Sequence, residues 1–269
     1  MEKILEQICQ AVRQAGQIVL EADRTPQMVD EKEGRANFVT VYDKKVQEFL
    51  QEELGKILPE AVFVGEEEDI HASISKGFAF IVDPIDGTTN FIKDYHLSAI
   101  SVGLAKDGLP YMGVIYNPYL DEMYWAWKGH GAFLNGKPIH VSSNDLAHGL
   151  VLFGTSPYYP ELTDKTFAIA RGLFEKSLDL RRSGSAAADL CSIAAGRAEL
   201  YFEMKLSPWD YAAGTVIVAE AGGSVTQFDG SPITLGRPCQ VLAVSSRTIR
   251  EQAGDVFGGH AGSEEGPCV

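Results

Sequence analysis

The chain is organised around the stretch Ile81-Val82-Asp83-Pro84-Ile85-Asp86-Gly87-Thr88-Thr89-Asn90. The apolar run that leads into it, residues 78–82, is typical of a short buried strand. Two aspartates then follow three positions apart, and the proline between them fixes the backbone of the turn. Carboxylates at the end of a rigid strand suit hard cations, and backbone N–H groups from Gly87 onward can face a phosphate. The stretch therefore indicates metal-assisted phosphate chemistry.

Taken alone, the same residues also fit an ordinary turn, with Asp83 as a cap and Asp86-Gly87 as a tight hairpin. The metal-site interpretation depends on further carboxylates elsewhere in the chain. Glu66 directly follows an apolar strand, as Asp83 does, and Asp210 stands at the predicted start of a helix. If these side chains meet, their negative charges are strongly unfavourable unless cations neutralise them.

The candidate ligands are all oxygen donors, without a nearby cysteine or a patterned histidine. Oxygen ligands favour Mg²⁺, with Mn²⁺ as a substitute, over Zn²⁺. Two or three divalent ions would reverse the local charge and admit a phosphate. The sequence therefore predicts a magnesium site.

Composition restricts the setting in which this site works. The 269 residues fit one large domain or two modest ones, and the formal net charge of −14 argues against nucleic acid or an anionic membrane as the main partner. Residues 2–23 have the pattern of an amphipathic helix and lack the unbroken apolar segment of a signal peptide. The cysteines are widely separated, which favours reduced thiols: Cys9, Cys191, Cys239 and Cys268. We therefore expect a cytoplasmic protein without a membrane-spanning segment.

The first half of the chain is rich in strands. A polar segment, 29–37, predicts a loop or an irregular hairpin, and residues 38–42 fit a strand or a helix entry. Asp43 is predicted to begin a helix that Pro59 ends. Residues 61–142 then predict a mainly antiparallel sheet.

The second half, from near Asn144 onward, alternates strands and helices, which is typical of an α/β arrangement. The predicted strands cover 150–153, 178–182, 200–203, 224–226 and 241–244, and the predicted helices cover 163–176, 183–195 and 210–221. We therefore expect an N-terminal α+β region over 1–143, a C-terminal α/β region over 144–257 and a flexible tail over 258–269.

Three ordered motifs resemble signatures of the inositol monophosphatase family. They are G-E-E at residues 65–67, D-P-[IL]-D-G-T-x-N-F at residues 83–91 and W-D-x-A-[AG]-G at residues 209–214. The wider superfamily also holds fructose-1,6-bisphosphatases and nucleotide 3'-phosphatases. The resemblance implies a layered αβαβα sandwich like that of fructose-1,6-bisphosphatase, with an antiparallel N-terminal sheet and a mixed C-terminal sheet. It also implies a Mg²⁺-dependent phosphatase that Li⁺ inhibits, and a homodimer.

The resemblance implies a ligand set, position by position. Glu66, Asp83 and the carbonyl of Ile85 would hold a first metal ion. Asp83, Asp86 and Asp210 would hold a second, and a third, weaker ion would depend on Glu66.

The same resemblance assigns Glu66, Thr88 and Asp86 to catalysis. Thr88 and Glu66 would orient the attacking water, while the backbone of Gly87 and Thr88 holds the phosphate. Divalent metals lower the pKa of water and stabilise a departing oxygen, so we expect direct in-line attack, with Glu66 accepting a proton and no phosphoenzyme.

Substrate contacts follow from the same comparison. The turn Gly184-Ser185-Ala186-Ala187 resembles the family's G-[ST]-A-A, although an ordinary serine N-cap explains it equally well. Glu203 stands seven residues before Asp210, at the spacing of the family's ligand for an inositol hydroxyl. Arg181 lies near a specificity position, for which Arg182 competes.

Three charged residues are assigned supporting roles. Lys32 stands eleven residues before Asp43, which matches a family pair near the metals. Glu67 follows Glu66 and is either a support for the site or an exposed charge. As isolated residues, Lys32 and Asp43 would be interpreted as solvated surface charges.

One other motif points to a different phosphatase class. Residues 191–197 satisfy C-x5-R, the pattern of cysteine-dependent phosphatases. That loop needs free backbone N–H groups after a strand, whereas Cys191 falls inside a predicted helix whose N–H groups are already used. We interpret Cys191 as a buried helical residue.

The sequence thus predicts a phosphomonoesterase for a small polyol phosphate, with myo-inositol monophosphate preferred because of Glu203 and the G-S-A-A turn. Fructose 1,6-bisphosphate and a nucleotide 3'-phosphate are alternatives of the same class. A non-catalytic interaction protein that keeps the fold is a further alternative. None of the candidate metal carboxylates is missing, which argues against that last option.

Overall fold

The computed structural model describes residues 1–23, 29–31, 38–67 and 74–258. The helices are α1 Glu2–Leu20, α2 Val41–Ile57, α3 Thr88–Ile92, α4 Thr163–Phe174, α5 Ala186–Ala194, α6 Pro208–Glu220 and α7 Arg247–Gly258. The strands are β1 Val29–Glu31, β2 Phe38–Thr40, β3 Val62–Gly65, β4 Phe78–Asp86, β5 Ala99–Lys106, β6 Leu109–Asn117, β7 Glu122–Trp127, β8 Ala132–Leu134, β9 Lys137–Ile139, β10 Leu150–Phe153, β11 Asp179–Arg181, β12 Leu200–Leu206, β13 Ser224–Thr226 and β14 Cys239–Val244. Within these ranges, no helix has the length and apolar character to cross a bilayer.

The two large sheets differ in strand direction. The first has seven strands in the order β3-β4-β5-β6-β7-β8-β9, and every neighbouring pair is antiparallel except β3 and β4. The second has five strands in the order β11-β10-β12-β14-β13, with β10 parallel to both of its neighbours and the other pairs antiparallel. The predicted fold class and the mixed C-terminal sheet are confirmed, while the N-terminal sheet is antiparallel as predicted except for its parallel pair β3 and β4.

Helices cover and separate the two sheets. On one face of the first sheet lie α1 and α2, whose apolar side chains share a core with those of β4, β5 and β6. Between the two sheets lie α5 and α6, which contribute alanine-rich faces to a second core. The outer face of the second sheet is covered by α4 and α7. This is the predicted αβαβα layering, in which α5 and α6 tie residues on both sides of position 143 into one core.

The structure departs from the sequence predictions in several places. The segment predicted as a loop or irregular hairpin contains β1, which pairs antiparallel with β2. Helix α7 was not predicted from the sequence. The first helix ends at Leu20, before the predicted residue 23. The predicted tail from residue 259 onward lies outside the described residues.

Two helices begin earlier than predicted, and for one reason. Asp43 and Asp210 were predicted as first residues, but α2 begins at Val41 and α6 at Pro208. In both helices the aspartate is the third residue and its carboxylate accepts the N–H of the N-cap residue, Thr40 or Ser207, at 2.7 Å. Such a capping box makes the sequence resemble an N-cap aspartate.

Two glycines allow α6 to lie close to the first sheet. Gly103 of β5 and Gly113 of β6 are directly opposed across the ladder. A Cβ atom built on Gly113 would lie 2.2 Å from the carbonyl oxygen of Ala213 in α6, and one built on Gly103 would lie 2.9 Å from the Cβ atom of Ala212. Because α6 carries Asp210 in its first turn, this close approach sets the depth of that carboxylate.

We expect Gly113→Ala to lower the free energy of unfolding by about 3 kcal/mol, because the new methyl group collides with helix backbone that cannot rotate away. The thermal unfolding temperature should fall by about 6 to 12 °C. Gly55→Ala in α2 is the matched control, since a Cβ atom there meets nothing within 4 Å. In a helix this control substitution should stabilise by about 0.5 to 1 kcal/mol. Equal unfolding temperatures for the two variants would contradict the close packing of α6.

Candidate active site

The floor of the site is formed where β3 and β4 end side by side. Parallel pairing places Gly65 opposite Val82, and the N–H of Glu66 donates to the carbonyl of Val82 at 3.1 Å. Glu66, the first residue after β3, therefore lies beside Asp83, after which the pairing of β4 becomes irregular. The register of β4 against β5 shifts between Asp83 and Asp86, so both aspartates fall at an irregular end of the strand.

Asp210 reaches the same floor from the first turn of α6. One oxygen each from Asp83, Asp86 and Asp210 lies within 4.8 Å of the others. These three residues, Glu66 and Ile85 line one cleft of about 300 Å³. The structure thus brings into one cleft the five residues that the family resemblance assigns to metal binding.

The carboxylates are held in an environment that resists their ionisation. Burial, followed by the charges of Glu66, Asp86 and Asp210, raises the pKa of Asp83. Burial, then Asp86 and Glu66, raises the pKa of Asp210. Burial also raises the pKa of Asp86 to about 6, against the opposing effect of the Ser185 hydroxyl. Buried carboxylates that share one cleft are a fitting donor set for divalent cations, which remove the repulsion and prefer oxygen ligands.

Asp86 is also the link between the floor and the G-S-A-A turn. Its Oδ2 atom accepts hydrogen bonds from the Ser185 hydroxyl at 2.5 Å and from the Ala187 N–H at 2.7 Å. The Ser185 oxygen in turn accepts the N–H of Ala188, as an N-cap does. Ser185 therefore caps α5 and also fixes Asp86, a contact that the sequence analysis did not predict.

Two glycine turns meet beside this link. Gly87 and Gly184 both have left-handed backbone, with φ of 89° and 88°. A Cβ atom on Gly87 would lie 3.0 Å from the carbonyl oxygen of Gly184. The side chain of Asn90 joins the turns by donating to the carbonyls of Leu97 and Ser183 at 2.8 and 2.9 Å. Gly87, Thr88, Gly184, Ser185 and Ala186 all line the cleft.

The Thr88 side chain is oriented by Asp43 and by the backbone carbonyl of Ile85. Its hydroxyl lies 3.2 Å from Oδ1 of Asp43 and 3.2 Å from the carbonyl of Ile85, and its one proton serves a single acceptor at a time. Asp43 is fully buried, and burial raises its pKa to about 6 against hydrogen bonds from Thr40. Asp43 thus supports the site through Thr88.

Glu203 lies in the wall of the cleft, on β12. Its two oxygens accept hydrogen bonds from the Ser156 N–H at 2.8 Å and the Tyr201 hydroxyl at 2.7 Å. The Ser156 hydroxyl lies 3.3 Å from the same carboxylate. Burial raises the pKa of Glu203, and these hydrogen bonds oppose the increase.

The remaining predicted residues lie away from the cleft or outside the described residues. Arg181 is half exposed and pairs with Asp179, and its neighbour Arg182 lines the cleft in its place. Arg181 is the last residue of β11, and its guanidinium is held by Asp179 of the same strand. Glu67 donates its N–H to the side chain of Gln47 and does not line the cleft. Lys32 falls in the part of the chain that the structure does not describe.

The cleft also contains residues that the sequence analysis did not select. They are Gly154, Ser156, Pro157, Tyr158, Tyr159, Asp189, Lys205 and Trp209. The segment 154–159 follows the carboxyl end of β10, which runs parallel to β12. Because the carboxyl ends of parallel strands meet at one sheet edge, that topology would have placed segment 154–159 beside Glu203.

The C-x5-R motif does not form a second site. Cys191 is buried within α5, and burial raises the pKa of its thiol, which opposes formation of a thiolate nucleophile. The guanidinium of Arg197 is bound to both oxygens of Glu122 at 2.9 and 2.6 Å. The interpretation of Cys191 as a structural residue agrees with this placement.

Comparison with known proteins agrees with the geometry. The profile of the inositol monophosphatase family matches residues 1–256. Inositol monophosphatase 3 of Solanum lycopersicum is 37% identical over 241 residues, which cover 87% of this chain and 90% of that protein.

Solved structures give the same result. The extragenic suppressor protein suhB of Bartonella henselae has a TM-score of 0.87 at 32% identity, over 95% of this chain and 98% of that chain. The staphylococcal protein SaIMPase-II, solved with inositol monophosphate bound, has a TM-score of 0.80 at 28% identity, over 97% and 95% of the two chains. Fold and site together define a phosphomonoesterase. The chain belongs to the inositol monophosphatase family.

We expect the pKa values of the floor to make the chelated protein less stable as pH rises. The folded-state pKa of Asp86, about 6, lies above its ordinary value of 3.8, so its stabilising contribution is complete below about pH 4 and is lost as pH rises through 6. With a chelator at pH 7.5, Asp86→Asn should therefore unfold several degrees above the wild type, and this difference should vanish near pH 4.

Mg²⁺ provides the control for that measurement. The ion binds ionised carboxylates, so it should raise the unfolding temperature of the wild type much more at pH 7.5 than at pH 5. Mg²⁺ should raise the unfolding temperature of the Asp86→Asn variant by less than that of the wild type. Identical unfolding curves for the chelated variant and wild type across pH 4 to 7.5 would contradict the assigned electrostatics.

Proposed function

We propose that this protein is a Mg²⁺-dependent phosphatase of a small polyol phosphate, with myo-inositol monophosphate as the preferred substrate. The observation that carries the proposal is the convergence of four carboxylates and two glycine turns on one cleft. Membership of the inositol monophosphatase family supports it, as does the inositol monophosphate bound to SaIMPase-II.

The floor residues divide into two overlapping ligand groups in this proposal. Glu66, Asp83 and the Ile85 carbonyl hold a first ion, and Asp83, Asp86 and Asp210 hold a second, with a third, weaker ion at Glu66. Mn²⁺ substitutes for Mg²⁺, and Li⁺ inhibits. When bound, such ions neutralise the carboxylates, lower the pKa of water and stabilise the departing oxygen.

Thr88 and Glu66 place the attacking water. When the Thr88 hydroxyl donates to Asp43, its own oxygen is left as an acceptor for a water proton. Water oriented in this way presents a lone pair toward a phosphate held at the N–H groups of Gly87 and Thr88. The Glu66 carboxylate, also in the cleft, accepts the other proton of the water as the bond from the water oxygen to phosphorus forms. The bond from phosphorus to the polyol oxygen breaks in the same step, and that oxygen takes a proton from solvent.

The polyol is placed against the wall formed by Glu203 and Ala186. A carboxylate offers about four acceptor positions, and the Ser156 N–H and the Tyr201 hydroxyl occupy two of those on Glu203, so acceptor capacity is left for a substrate hydroxyl. A hydroxyl-rich leaving group suits this wall better than an apolar one, because Glu203 would otherwise be left with an unfilled acceptor.

We also propose that the protein works in the cytoplasm as a homodimer. Three described cysteines are free thiols, which agrees with work in the cytoplasm. Exposed apolar side chains on and after α4, namely Phe167, Phe174 and Leu178, suit a homodimer contact. A non-catalytic role on the same fold is the second candidate, and it predicts no turnover of any phosphate ester.

Asp83→Asn should reduce kcat for myo-inositol 1-phosphate by more than about 100-fold, because Asp83 belongs to both ligand groups. Phosphate release with Mg²⁺, with and without Li⁺, measures this. Cys191→Ser is the control and should keep full activity. In ¹⁸O water one solvent oxygen should enter the phosphate, and a trapped covalent phosphoenzyme would contradict direct attack.

Among monophosphates, myo-inositol 1-phosphate should give a higher kcat/KM than glycerol 2-phosphate or adenosine 3'-monophosphate. The rigid ring of inositol can present a hydroxyl to Glu203 while its phosphate lies between the glycine turns. Glu203→Gln should therefore raise KM more for myo-inositol 1-phosphate than for glycerol 2-phosphate. A preference for the nucleotide would contradict the assignment to inositol phosphate.

A further inference from the structure

Helix α2 carries a buried polar side chain that the reaction above does not use. Gln47 lies one turn beyond Asp43 and is buried like it. Side chains four residues apart share one face of a helix. On this face Asp43 contacts Thr88, which follows β4, and Gln47 contacts Glu67, which follows β3. One helix face thus reaches the ends of both strands that form the floor of the cleft.

The contact of Gln47 fixes the backbone that carries Glu66. The side-chain oxygen of Gln47 accepts the N–H of Glu67 at 2.9 Å. The N–H of Glu66 itself donates to the carbonyl of Val82 at 3.1 Å. The peptide groups on both sides of the Glu66 Cα atom are therefore held, one by β4 and the other by α2.

Gly65 makes room for this contact. A Cβ atom built on Gly65 would lie 2.2 Å from the side-chain oxygen of Gln47 and 2.5 Å from its Cδ atom. Gly65 does not have left-handed backbone, so it is the space beside it, and not its conformational freedom, that requires glycine. The glycine of the G-E-E motif is thus explained by the approach of Gln47.

We propose that Gln47 is a positioning residue for the reaction, which holds the Glu66 carboxylate in the cleft through the N–H of Glu67. The inference rests on the proposed function, in which Glu66 binds metal and accepts a proton from the attacking water. One face of α2 then places both partners of that water, because Asp43 orients Thr88 and Gln47 orients Glu66. The relative position of these two partners is set by a rigid helix instead of by two independent loops.

The alternative role of Gln47 is to pack α2 against the first sheet. In that role the side chain contributes to the stability of the fold, and no property of the site depends on its acceptor oxygen. Methionine at position 47 separates the two roles. It keeps an unbranched side chain of similar length, but its sulfur is only a weak acceptor.

The experiment compares Gln47→Met with the wild type in the full chain. Hydrogen exchange of the Glu67 amide, measured by NMR with a chelator present, should become at least about tenfold faster, because the N–H loses its acceptor. Calorimetry should show a Mg²⁺ affinity reduced about tenfold, as expected when the support of a ligand is removed. At saturating Mg²⁺, kcat for myo-inositol 1-phosphate should fall about tenfold, while KM stays within about twofold.

Three further variants complete the comparison. Gln51→Met is the matched control, because Gln51 lies one turn further along α2, and it should change none of these quantities. Gln47→Glu keeps an acceptor oxygen in either protonation state, so it should restore slow exchange of the Glu67 amide and most of kcat. Gly65→Ala displaces the Gln47 side chain and should weaken Mg²⁺ binding as Gln47→Met does.

A lower unfolding temperature for Gln47→Met, with Mg²⁺ affinity and kcat unchanged, would assign Gln47 to packing and overturn the proposal. If the wild type hydrolyses no phosphate ester, the proposed function fails. The calorimetric comparison still decides the positioning role. Weaker Mg²⁺ binding by Gln47→Met supports that role, and Mg²⁺ binding equal to that of the wild type overturns it.

Discussion

The structure depends on the burial of several carboxylates against their mutual repulsion. Asp86 shows how this is done: it ends a strand of the first sheet and accepts hydrogen bonds from Ser185 and Ala187 at the start of α5. Since α5 packs between the sheets, this one carboxylate joins the two halves of the molecule at the cleft. The Gly103 and Gly113 pair does the same for Asp210, because it admits α6 close to the first sheet.

A common pattern keeps these carboxylates in place. Each has a protein donor on one oxygen: the Ile85 N–H for Asp83, the Ser207 N–H for Asp210 and the Ser185 hydroxyl for Asp86. The donors offset part of the cost of burial, but burial and neighbouring charge still raise each pKa. The protein thus keeps a site that is unfavourable when empty of cations and favourable when filled.

How much the sequence could predict follows from which residues are adjacent in it. The floor was predictable because each carboxylate stands at the end of an apolar strand or the start of a helix, where local pattern is strong. The exact helix starts were not, because the capping boxes at Thr40 and Ser207 place the aspartate two residues inside the helix. The place of Lys205 in the cleft was not predictable for another reason. Lys205 lies against Tyr159, which becomes its neighbour only through the parallel pairing of β10 and β12.

The carboxylate floor of the cleft and its two cationic side chains, Lys205 and Arg182, are therefore under different physical constraints. At the floor, a carboxylate that is moved or removed changes the charge that every bound cation must balance, so the residues there act as one unit. Lys205 and Arg182 are held by a ring and a hydroxyl, and the charge of Arg182 also opposes the increase that burial causes in the pKa of Asp189. The floor residues are therefore coupled to one another by charge, while Lys205 and Arg182 are positioned by neutral groups of segment 154–159.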